Sequence, residues 1–116
     1  MIPDQPPKLL KSGRFNHDIP VLIGFNSDDG LMQFEREGDV MKLGIQESEI
    51  MSILSENFKF ARVGLSQEQI EAAVELAKTY YFSNQTDPFS NLRSGIDSFR
   101  DIHFVAPILK VSEFYT

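Results

Sequence analysis

Seven consecutive residues, Ile19-Pro20-Val21-Leu22-Ile23-Gly24-Phe25, constrain this chain more than any others. The run is continuously apolar, rich in branched side chains and bounded by turn formers. Such runs suit a strand buried on both faces, as in a parallel sheet. Pro20 fits the first position of that strand, where no ladder donor is lost. A strand must also pair its backbone amides with a neighbour, and no second stretch of this chain reads clearly as a strand. Periodicity therefore predicts one buried-type strand, Ile19–Phe25, followed by a mostly helical region. This is too little sheet for a complete α/β domain, and it points to sequence lying outside these 116 residues.

The run breaks sharply at Asn26-Ser27-Asp28-Asp29-Gly30, where every residue favours a turn. Upstream, Met1 to Pro7 is Pro-rich and extended, and Leu9 to Phe15 reads as a short helical turn followed by a loop. Downstream, Leu31, Met32 and Phe34 make a short amphipathic piece, and Glu35 to Asp39 is charged. Glu47 to Phe58 is helical, with Ile50, Met51, Ile53, Leu54 and Phe58 apolar. Ser66 and Gln69 have capping-box spacing. The helix they open carries Ile70, Ala73, Val74, Ala77, Tyr80 and Tyr81 at helical periods and stops near Phe82. Ser83 to Pro88 reads as a loop. A last helix runs from about Asn91, with Phe99, Ile102, Val105, Ala106 and Leu109 on one face and Pro107 kinking or restarting it. Phe82, Phe89, Phe99, Phe104 and Phe114 read as core.

Composition narrows the functional classes. Hydrophobic residues make up 41% and charged residues 24%, an ordinary globular balance. A net charge of −6 argues against a nucleic-acid partner. No stretch is apolar for long enough to span a bilayer. With no cysteine there is neither a disulfide nor a thiolate metal site. Asn26, Asp28 and Glu37 stand at positions one, three and twelve of a calcium-loop pattern. Leu31 occupies the sixth position, where that loop needs glycine, so neither a calcium site nor any cofactor is expected. Asn84-Gln85-Thr86 is a glycosylation sequon in a predicted loop.

In open α/β sheets functional side chains gather past the carboxyl ends of strands. Asp28 and Asp29 occupy such a place, although an Asp-Asp-Gly sequence by itself also reads as a solvated turn. The surrounding residues add a resemblance. Lys8-Leu9-Leu10-Lys11-Ser12-Gly13-Arg14-Phe15-Asn16, then Ile19 to Phe25 and Asn26-Ser27-Asp28-Asp29-Gly30, are similar to the type-B carboxylesterase and cholinesterase family. Asp101 and Pro107 repeat an Asp-to-Pro spacing of that family. The resemblance implies an α/β-hydrolase fragment, with residues 1–116 a partial domain.

Carried over by position, Asp29 is the acid of a Ser-His-acid triad and the partner of a histidine outside this chain. Aspartate stands where the family usually has glutamate, so its carboxylate lies one methylene nearer the backbone. Asp101 matches a structural aspartate that pairs with an arginine farther along. From its own surroundings it reads equally as a solvated helix acid. No Gly-x-Ser-x-Gly elbow occurs, and His17 and His103 both read as structural or surface residues.

The resemblance therefore implies part of a serine ester hydrolase, inactive alone, whose intact form acts on a small-molecule ester. The alternative is a non-catalytic cholinesterase-like adhesion or interaction domain. The resemblance also favours a secreted protein, although Met1 to Lys8 has no signal-peptide pattern.

Overall fold

The computed structural model describes residues 3–35, 38–60, 64–83 and 86–116. Its elements are helical. They are α1 (Pro6–Lys11), α2 (Leu31–Glu35), α3 (Val40–Leu43), α4 (Ile50–Phe60), α5 (Gln67–Tyr81), α6 (Pro88–Arg100) and α7 (Ala106–Ser112). A 3₁₀ turn, Glu47–Glu49, leads into α4, and another, Glu113–Tyr115, follows α7. A π-helical segment, Asp101–Val105, joins α6 to α7.

The expected strand is overturned. Among the described residues there is no strand and no sheet, so the α/β assignment does not hold for them. Residues 19–25 are irregular backbone, and every one of them is exposed. The reason is the partner requirement. An apolar run becomes a strand only when a second strand accepts its amides and other layers cover its faces. The segments around it here are helices whose backbone bonds are internal. Composition alone does not make a strand, and topology denied this run a ladder.

The core lies elsewhere. Phe34 from α2, Ile45 just after α3, Ile50 and Leu54 from α4, Val74 and Ala77 from α5, Phe82 just after α5, and Leu92, Ile96 and Phe99 from α6 form one buried cluster. Helix α6 is its axis and touches α2, α3, α4 and α5. Nothing between residues 3 and 28 is buried. The radius of gyration, 16.8 Å, exceeds the ~13 Å of a compact domain of about this length, because that N-terminal segment stands off the core.

Local signals account for the helix ends. Ser66 Oγ accepts from Gln69 N at 3.2 Å, and Gln69 Oε1 accepts from Ser66 N at 2.9 Å, closing the expected capping box. Gln46 and Glu49 close another before α4. Helix α6 begins three residues earlier than periodicity suggests. Asp87 caps it by accepting from Phe89 N at 3.2 Å, and Pro88 takes the first helical position.

Near Pro107 the missing N–H would leave an α-helical carbonyl without its donor. The chain answers with the π segment, which inserts extra residues per turn and shifts the helical phase. That shift explains why Ala106 and Leu109 are exposed although they continue the stripe of Phe99. Of the aromatic set, Phe82 and Phe99 are buried and Phe104 and Phe114 half-buried, while Phe89 is exposed.

Candidate functional site

The Asn26–Gly30 turn is held against α6 at three points. Gly30 is buried there, and a Cβ built on it would lie 2.0 Å from Ile96 O and 3.0 Å from Arg100 N. Only glycine lets two backbones approach so closely. Arg93 donates to the Asp28 carboxylate, and Arg100 donates to Ser27 O at 3.1 Å. Residues 93, 96 and 100 share one helix face by their spacing.

Between the two arginines stands Asp97. It accepts from Arg93 at 2.9 Å and from Arg100 at 3.0 Å, which offsets the repulsion between their like charges. Arg100 also meets Asp101 Oδ1 through Nε, at 2.8 Å. Asp101 Oδ2 accepts from the Tyr81 hydroxyl at 2.6 Å. The network therefore runs Asp28–Arg93–Asp97–Arg100–Asp101–Tyr81.

The electrostatics follow this geometry. The hydrogen bond and charge of Arg93 hold the Asp28 carboxyl below the usual carboxylate range. Asp28, then Asp97, raise Arg93, and Asp101 raises Arg100. Burial, reinforced by the bond to Asp101, pushes the Tyr81 phenol up.

Asp29, half-buried, is set apart from its neighbour. Asn26 donates twice to it, from its backbone N to Oδ2 at 2.7 Å and from Nδ2 to Oδ1 at 3.0 Å. A carboxylate has about four acceptor sites. Among the described residues two are filled, one on each oxygen, which leaves acceptor capacity on both. Adjacent aspartates thus do different work: Asp28 anchors the turn, and Asp29 is oriented within it.

The histidines lie elsewhere in the hydrogen-bond pattern. His17 meets Gly13 O at 3.1 Å and stacks on Phe15. His103 packs on the Phe99 ring at 4.1 Å, and burial lowers its pKa. Among the described residues neither shares a hydrogen bond with Asp29. Asp101 pairs with Arg100, the residue before it, which is not the arginine farther along the chain that the resemblance implies. Asn84 and the Glu37 of the calcium-loop pattern lie outside the described residues, and Asp28, from the same pattern, is engaged by Arg93. No group of three or more acidic or histidine side chains converges as a metal site among the described residues. Sequence reasoning missed the roles of Asn26, Arg93, Asp97 and Arg100. The signal was present in the alternating charges at 93, 97 and 100, which share a helix face.

Comparison with known proteins adds the family. Neither a search of curated proteins nor one of solved structures returns a match. The model of the carboxylesterase family matches residues 1–116. The match covers the whole length, including the Asp29 turn and the α6 face that holds it, and the chain therefore belongs to the carboxylesterase family.

Proposed function

We propose that this chain contributes the acid of a Ser-His-acid triad to a serine ester hydrolase, and that the acid is Asp29. The observation that carries the reading is the state of its carboxylate. It lies in a turn pinned to the core helix, is oriented by Asn26, and keeps acceptor capacity for a histidine N–H. In such an enzyme a serine attacks the ester carbonyl while a histidine takes its proton. Asp29 would accept from the other ring nitrogen, fix the tautomer and stabilise the imidazolium. Backbone amides would bind the oxyanion. The serine elbow is not among these 116 residues, so the reading places the nucleophile and base in a longer polypeptide. Its substrate is a small carboxylic ester.

A second reading, a non-catalytic interaction domain on the same family scaffold, draws on one observation. Both hydrogen bonds to Asp29 come from its own turn, an arrangement that a purely structural acid would also satisfy.

The reading predicts no turnover of a short-chain aryl ester, such as 4-nitrophenyl butyrate, by the 116-residue chain alone. Turnover by this chain that disappears on Asp29→Ala would contradict it.

A further inference from the structure

We propose that Arg93 and Arg100 are positioning residues for Asp29, acting as a two-point cationic clamp that holds the Asn26–Gly30 turn on α6. The inference rests on the reading of Asp29 as the triad acid and deepens it.

The geometry separates this pair from ordinary surface ion pairs. The two arginines sit seven residues apart on α6, two turns along one face. Each reaches a different atom of the same short turn: Arg93 the Asp28 side chain, Arg100 the Ser27 backbone carbonyl. Between those points Gly30 rests on the Ile96 carbonyl. Three attachments on a rigid core helix fix both the position and the tilt of the turn, and Asp29 lies inside it.

The chemistry requires arginine. Arg93 spends one terminal nitrogen on Asp28 and the other on Asp97. Arg100 divides its donors among Ser27, Asp97 and Asp101. A planar fork reaches several acceptors at once, whereas a lysine ammonium is a single point on a flexible stem. Asp97 sits between the guanidiniums and keeps them from swinging apart. The side chain of Arg100 is only 20% exposed, so water competes for it less than for Arg93. Among the described residues Asp29 forms no hydrogen bond or ion pair with either arginine, and their influence passes through backbone geometry.

The experiment has two arms. In the first, amide exchange is measured by NMR on the 116-residue chain, at the Asn26 N–H that donates to Asp29. Arg93→Gln and Arg100→Gln should each speed this exchange by roughly two- to fivefold, the scale of a partly exposed ion pair. Arg93→Lys should fall between wild type and Arg93→Gln. The Val74 amide of α5 serves as the control for general loosening and should not change.

In the second arm, the same variants are placed in the esterase polypeptide. They should lower kcat while leaving KM unchanged. The acid limb of the pH profile should move to lower pH, because a loosened carboxylate supports the imidazolium less. A residue that merely aids folding would not move that limb.

Unchanged Asn26 exchange in both glutamine variants, with Asp29→Asn still abolishing activity, overturns the clamp and leaves the triad reading standing. Full activity of Asp29→Asn overturns both.

Discussion

Gly30→Ala tests the packing that positions the candidate acid. The added methyl would lie 2.0 Å from the Ile96 carbonyl oxygen and 2.9 Å from its carbon. Both are helix backbone, so no side chain can swing aside. Relief to even a tight 3.0 Å contact needs a shift of about 1 Å. The turn carries Ser27, whose bond to Arg100 is already 3.1 Å long, and a shift of that size along the bond would break it. Overpacking of this kind costs about 1–3 kcal/mol.

Two smaller effects set the net. Gly30 is not among the glycines with positive φ, so alanine meets no backbone strain there. It also restricts the unfolded chain, which returns about 0.4–1 kcal/mol. Two close approaches to helix backbone put the cost at the upper end of that range, and the expected net destabilisation is up to about 2.6 kcal/mol.

Gly24→Ala is the internal control. It has nothing within 4 Å of its built Cβ and no positive φ. It should be neutral or stabilising by up to about 1 kcal/mol. Urea unfolding followed by circular dichroism reads both variants. Opposite signs are predicted; a Gly30→Ala midpoint equal to or above wild type would refute the close approach.

Two further predictions concern the helical body. Ser66→Ala removes the cap acceptor of Gln69 N and should cost about 0.5–2 kcal/mol of stability in the same urea titration. Burial holds His103 below its ordinary value of 6.5, so the fold binds fewer protons than the unfolded chain. Stability is then complete above about pH 6.5 and falls as pH drops through the folded-state value. Urea midpoints between about pH 7.5 and about pH 5 should show that slope, and His103→Gln should flatten it.

Much of the helical architecture was legible because its signals are local. Ser66 with Gln69 fixed the start of α5, and the stripe through Val74 and Ala77 named its buried face. Tyr80 departs from that stripe and is exposed, while Tyr81 turns inward to Asp101. Pro107 announced an irregularity, but its remedy was not readable, because a π turn depends on how the whole helix packs. Residues 19–25 were misread for the complementary reason. Their composition is that of a buried strand, but strand formation is a property of two segments, and a periodicity argument sees only one. The candidate site divides the same way. Asp29 is a candidate from the family-like block around it. Arg93 and Arg100 lie more than sixty residues away in sequence, and only folding brings them beneath the turn.

The central claim is that Asp29 is the acid of an ester-hydrolase triad. Its most direct test is kcat for a short aryl ester in a polypeptide that supplies the proposed serine and histidine to this chain. Asp29→Asn should lower kcat by on the order of 10⁴ through loss of the correct histidine tautomer. Asp29→Glu, the family's usual residue, should keep substantial activity, and Asp18→Asn, in the exposed segment before the turn, should change nothing. Wild-type kcat in Asp29→Asn would contradict the account.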